Sequence, residues 1–122
     1  MGTFKVQMEI ADPSGDRWEL LEALVDTGAI YTMAPAPLLR KLGVQPYTRD
    51  VFTLADGRRA EYDIGHGWIR IGDRMVITLV VFGEAETKPL LGAYALEGLR
   101  LAPDPVGRRL VPVPGLLMEL AV

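Results

Sequence analysis

The segment Ala23-Leu24-Val25-Asp26-Thr27-Gly28-Ala29 sets a carboxylate directly behind an apolar run. An acid buried there without a partner costs stability, so its presence needs a reason. The chemistry a carboxylate offers is proton transfer. Gly28 supplies backbone freedom and lets another segment approach closely, and the Thr27 hydroxyl can brace the loop. Several rival chemistries are excluded by composition. The chain has no cysteine, which removes disulfides, thiolate metal sites and a cysteine nucleophile. Its one histidine, His66, cannot build a multi-histidine metal site within one chain. Asp63, Asp73 and Asp104 sit in polar or turn contexts and need no special role. Read alone, Asp-Thr-Gly is also compatible with a turn that ends a strand.

The flanking sequence predicts the elements that must hold this loop. Phe4, Val6, Met8 and Ile10 alternate with Lys5, Gln7 and Glu9, the period of a half-buried strand. Asp12-Pro13-Ser14-Gly15-Asp16 is dense turn chemistry, and a second strand from Arg17 to about Leu24 completes a hairpin leading to Asp26. Pro35 and Pro37 suit the first turn of a short helix, Leu38, Leu39 and Leu42 give it an apolar face, and Gly43 suits the position past its end. Val51-Phe52-Thr53-Leu54, an Asp56-Gly57 turn and a return strand through Ala60, Tyr62 and Ile64 predict a second hairpin. Trp68 to Ile71, a Gly72-Asp73 turn and Met75 to Phe82 predict a third, with Gly65-His66-Gly67 as a loop between them. The run Met75 to Phe82 is apolar nearly throughout and is expected to be buried on both faces. Ala93 to about Leu99 suits a second short helix, Asp104-Pro105-Val106-Gly107 a turn, and Arg108 to Val113 a last strand. Most of Trp18, Trp68 and the four tyrosines are expected in the core or at a barrel rim. Together these read as a mainly β barrel or sandwich with two short helices.

A length of 122 residues suits one domain, taken as residues 1–122. With 49% apolar and 24% charged residues, disorder is excluded as the main state. No window approaches the roughly 18 uninterrupted apolar residues of a membrane span. A net charge of −3 argues against nucleic acid as the default partner. Met1-Gly2-Thr3-Phe4-Lys5 lacks the basic and apolar regions of a secretory leader, so a cytoplasmic setting is expected.

Further along the chain stands Pro89-Leu90-Leu91-Gly92, followed by the second helical stretch, and the Asp56-Gly57 hairpin lies between the two motifs. This order resembles the retropepsin-like (retroviral-type, clan AA) aspartic proteases, the retroviral and bacterial single-domain relatives of pepsin. Their pattern is two hydrophobic residues, Asp-Thr/Ser-Gly-Ala/Ser, a flap hairpin, then two hydrophobic residues and Gly before a helix. Leu24-Val25-Asp26-Thr27-Gly28-Ala29 matches the first part and Leu90-Leu91-Gly92 the last, and the likeness runs from Phe4 to Val113. It implies a mainly β, small closed acid-protease barrel with one or two short helices, working as a homodimer. It implies an aspartic endopeptidase that hydrolyses peptide bonds with a water activated by two Asp26 carboxylates, one from each subunit. Two such carboxylates at short range share a proton; the ionised one acts as general base and the protonated one polarises the scissile carbonyl. The implied partners are a second copy and a peptide or protein substrate, with no metal, cofactor, nucleic acid or membrane.

By the same resemblance Thr27 braces the two active loops across the dimer, Gly28 leaves room for that contact, and Ala29 completes the loop. Ala55, Asp56, Gly57 and Arg58 sit at the flap tip, and Leu90, Leu91 and Gly92 pack under the active loop. Two positions depart from the viral pattern. Ile30 stands where many viral members have Asp, and Ala93 where they have Arg. Both halves of that ion pair are missing together, so neither charge is stranded. The tip carries Arg58 and Arg59 on a single Asp-Gly turn and reads as a solvated turn. The alternative reading is a non-catalytic dimeric peptide-binding module of the same fold; a third is a structural β-barrel in which Asp-Thr-Gly is only a turn. The apolar tail Leu116-Leu117-Met118-Glu119-Leu120-Ala121-Val122 reads as a dimer strand or helix or as core, with a dimer contact the favoured expectation.

Overall fold

In the computed structural model, which describes residues 3–114, the first alternating run forms β1 (Lys5–Ala11), with Met8, Ile10 and Ala11 fully buried. It pairs antiparallel with β2 (Trp18–Val25), Lys5 opposite Leu24 and Ala11 opposite Trp18. The turn between them is tied to the sheet by two indoles: Trp18 Nε1 donates to Gly15 O and Trp68 Nε1 to Pro13 O. A short strand β3 (Thr32–Pro35) runs into α1 (Ala36–Leu42). Pro35 caps this helix in an extended conformation and Pro37 lies in its first turn, where a missing N–H leaves nothing unpaired. Gly43 ends it at φ 93°, in the left-handed region, its N–H donating to Arg40 O while the Val44 N–H donates to Leu39 O.

The rest of the chain is β4 (Pro46–Thr53), β5 (Arg59–Ile71), β6 (Arg74–Gly83), β7 (Leu90–Leu91), α2 (Ala93–Leu99), β8 (Leu101–Asp104) and β9 (Arg109–Pro112). The large sheet follows the order β1-β2-β7-β3-β6-β5-β4. Residues Glu9 to Ala11 of β1 also pair with Trp68 to Arg70 of β5, so the first six strands close into a ring and β4 hangs outside on β5. The molecule is therefore a small, mainly β closed barrel with two short helices, as expected. Its core is built from Met8, Ile10, Leu39, Ile69, Leu91 and Leu99. No helix among the described residues is long and apolar enough to cross a membrane. The tail Leu116–Val122, expected to contact a partner, lies outside the described residues.

Several local expectations are corrected. Gly65-His66-Gly67 is not a loop: all three lie inside β5, one strand of 13 residues. The glycines mark close backbone approach, since a Cβ on Gly65 would lie 2.7 Å from Gln45 O and one on Gly67 would lie 3.0 Å from Ala11 O. β6 is buried on both faces only from Val80 to Gly83, while Met75 and Ile77 are each 44% exposed. Helix α2 covers one face of the first half, where Val76 meets Gly98, and leaves the other face to solvent. β4 starts at Pro46 rather than Val51 and is exposed except at Phe52, as befits an outer strand. β3 and β8 were not expected at all, and four residues each are too few to show a period.

One ion pair sits on the closing seam. Glu9 and Arg70 face each other across β1 and β5, with Nε–Oε1 at 2.8 Å and Nη2–Oε2 at 3.1 Å, and the guanidinium lies 3.8 Å over the Trp18 ring. The hydrogen bonds from Arg70, opposed in part by desolvation, hold the Glu9 carboxyl below its usual range. A carboxylate that binds its proton less tightly when folded adds stability above its unfolded titration range, and loses it as pH falls through the folded value. Glu9→Gln is expected to lower stability at neutral pH and to have little effect in strong acid. Urea unfolding of both chains at pH about 7 and about 2 measures this; an equal effect at both would contradict it.

Candidate active site

β2 ends at buried Val25 and delivers Asp26 into a tight loop. The Val25 N–H donates to Phe4 O (2.9 Å) and the Asp26 N–H to Leu91 O (3.1 Å), so successive residues are pinned to different neighbours. β2 and β7 run parallel, Val25 opposite Leu91. Past the acid, the Ala29 N–H donates to Asp26 O (3.1 Å) and the Gly28 N–H to Asp26 Oδ1 (3.0 Å). The chain thus turns around its own carboxylate, a geometry aspartate favours. A Cβ on Gly28 would lie 3.2 Å from that oxygen. Its φ is not in the left-handed region, so glycine contributes space here and not the backbone freedom expected from the sequence. Asp26 is half-buried rather than enclosed, and Thr27 beside it is exposed.

The Leu-Leu-Gly motif meets this loop from below. Leu91 is fully buried. The Gly92 N–H donates to Thr32 Oγ1 (3.1 Å), the Ala93 N–H to Ala29 O (2.8 Å) and the Tyr94 N–H to Ile30 O (3.0 Å). The two motifs, far apart in sequence, therefore form one backbone-crossed structure. At Ile30 and Ala93 the tie is made by main-chain bonds and requires no ion pair. Sequence reasoning missed Thr32, which is 1% exposed and spends its hydroxyl on Gly92; nothing in the local pattern signals it.

Two hollows open on either side of Gly28. One, of ≈ 450 Å³, has Asp26 and Thr27 in its wall with Phe4, Pro103 and Pro105. The other, of ≈ 370 Å³, runs beneath Val51 to Leu54 and over Ile30, Tyr31 and Leu90, with no charged side chain in its lining. Its roof is the β4–β5 hairpin. The tip of that hairpin closes through Leu54 N–H to Arg58 O and Gly57 N–H to Leu54 O, with Gly57 at φ 87°. The Arg58 N–H and guanidinium both bind the Asp56 carboxylate and hold its carboxyl below the usual range, while Arg58 is raised in turn. Ala55, Asp56, Gly57 and Arg58 are exposed and stand outside the lining of both hollows. The roof is made by Val51 to Leu54, which sequence reasoning assigned only to a strand.

At the root of the hairpin, the Tyr62 hydroxyl donates to Glu84 Oε2 (3.3 Å), and burial, then the Glu84 charge, push that phenol above its usual range. His66 is exposed on β5 with its ring stacked on Tyr47, 4.7 Å between centres, away from both hollows. Among the described residues no group of three or more histidine or acidic side chains is placed to hold a metal ion.

No protein-family model matches the chain, and no curated protein matches it by sequence. Among solved structures it is similar to the solution structure of the simian foamy virus (mac) protease. That likeness has a TM-score of 0.54 and 21% identity, and covers 75% of this chain and 90% of the viral one. At this identity the likeness is one of fold: the chain has the architecture of a retroviral protease.

Proposed function

We propose that the chain is a retropepsin-like aspartic endopeptidase that works as a homodimer, each copy giving one Asp26 to a shared site. The observation that carries this reading is the Asp26 carboxylate itself. One of its oxygens is fixed by the Gly28 N–H at the crossing of the two motif loops, and the group is still open to a hollow. A turn that merely ends a strand has no use for such bracing from a second motif. The exposed Thr27 hydroxyl, the roofing hairpin and the fold likeness support the same reading.

In this reading the facing carboxylates hold one proton and a water between them. The ionised carboxylate takes a proton as the water oxygen bonds to the scissile carbonyl carbon, and the protonated one gives its proton to the carbonyl oxygen. The carbon–nitrogen bond then breaks as the carboxyl that took the water's proton passes it to the amide nitrogen and a hydroxyl of the intermediate returns a proton to the other carboxylate, releasing a carboxylic acid and an amine. The apolar hollow beneath Val51 to Leu54 takes a substrate side chain. The test is digestion of a mixed peptide library, read by mass spectrometry, with wild type beside Asp26→Asn. Cleavage by wild type alone supports the proposal. Peptides bound but left intact would replace it with the non-catalytic binding module.

A further inference from the structure

Four aromatic rings run in contact from α2, through the segment after Asp26, into the flap hairpin. Tyr94 meets Tyr31 edge-on, with ring centres 5.6 Å apart at 85°. Tyr31 meets Phe52 of β4 edge-on, at 5.8 Å and 89°. Phe52 in turn tilts against Tyr62 of β5 at 6.1 Å. Edge-to-face pairs at such distances are the attractive arrangement for aromatic rings. The two ends of this row of rings are held differently. Tyr94 and the segment before Tyr31 are already tied by the bond from Tyr94 N–H to Ile30 O. β4, by contrast, hangs outside the ring on β5, and Phe52 is its one residue that is not exposed.

We propose that Tyr31 is a positioning residue: its ring is the strut against which Phe52 sets the height of the flap over the apolar hollow that adjoins the Asp26 loop at Gly28. Outside its own hairpin the flap is held by this ring contact, by the Tyr62–Glu84 bond and by an Arg40–Asp63 ion pair at 3.5 Å. Tyr31→Ala removes the ring contact and leaves the other two. Tyr31→Phe keeps the ring and loses only the hydroxyl. The effect on turnover rests on the endopeptidase reading, whereas the effect on the flap does not.

Amide hydrogen exchange resolved by segment tests the strut in wild type, Tyr31→Ala, Tyr31→Phe and Phe52→Ala. Cross-strand amides of the flap are expected to exchange about tenfold faster in Tyr31→Ala and Phe52→Ala, the size one ring pair supplies. Tyr31→Phe matches wild type, and amides of β1 and β6 keep their rates. Phe52→Ala reports the same contact from the exposed strand should Tyr31→Ala fail to fold. On a cleaved peptide, Tyr31→Ala raises KM about tenfold with a smaller change in kcat, since the flap holds bound substrate. Flap exchange unchanged in both alanine variants would overturn the proposal. So would uniform acceleration in every segment, or a Tyr31→Phe chain that behaves like Tyr31→Ala. A chain that cuts no peptide yet shows the flap response refutes the endopeptidase reading and supports the strut.

Discussion

Asp26→Asn is expected to lower peptide hydrolysis by about a thousandfold, the scale of losing a positioned acid–base group. The substitution is close to isosteric, and the asparagine carbonyl oxygen can still accept the Gly28 N–H that now binds Asp26 Oδ1. The main-chain bonds from Asp26 N–H to Leu91 O and from Ala29 N–H to Asp26 O do not involve the side chain. The loop therefore keeps its shape while the group can no longer take a proton from water. Circular dichroism and thermal unfolding that match wild type, together with lost hydrolysis, are the expected pair of results. Full hydrolysis by the variant would remove Asp26 from the chemistry.

Gly92→Ala carries the largest expected effect on stability. A Cβ at that position would lie 2.5 Å from Tyr31 O, 2.6 Å from Tyr31 C and 3.0 Å from Ala29 O. These are main-chain atoms, and Ala29 O already accepts a hydrogen bond from Ala93. No rotamer change relieves the contact, so the segment after Gly92 must move off the active loop. The Gly92–Thr32 hydrogen bond is broken with it, leaving a buried hydroxyl and N–H short of a partner. Overpacking of this kind costs about 3 kcal/mol, which for a domain of this size lowers Tm by about 10 °C. Differential scanning fluorimetry measures the shift. A Gly92→Ala chain as stable as wild type would mean that the two loops do not cross as closely as described.

Elements set by local chemistry were legible in the sequence. The β1–β2 hairpin followed from alternation and an unmistakable turn, α1 from its prolines and Gly43, and the β4–β5 turn from Asp56-Gly57. The bounds of α2 matched Ala93–Leu99: Gly92 stands at its N-cap, and Ala95, Leu96 and Leu99 make its buried face. Features set by distant contact were not legible. Gly65 and Gly67 look like loop residues until the backbones of Gln45 and Ala11 are seen pressing on them. The seam of the barrel pairs β1 with β5 and carries the Glu9–Arg70 ion pair, 61 residues apart. The candidate acid was legible because two short motifs in a fixed order identified it. Tyr31, Thr32 and Phe52 were not, since each acts through a partner that no sequence spacing marks.

Wild-type and Asp26→Asn chains refolded together at fixed total concentration measure directly whether two Asp26 carboxylates make one site. In an equal mixture, random pairing leaves about a quarter of the dimers with two aspartates. A shared site predicts a rate about a quarter of that of the all-wild-type sample, following the square of the wild-type fraction across a mixing series. A rate that stays proportional to the wild-type fraction, about half in the equal mixture, would mean that each chain carries a complete site and would contradict the shared dyad.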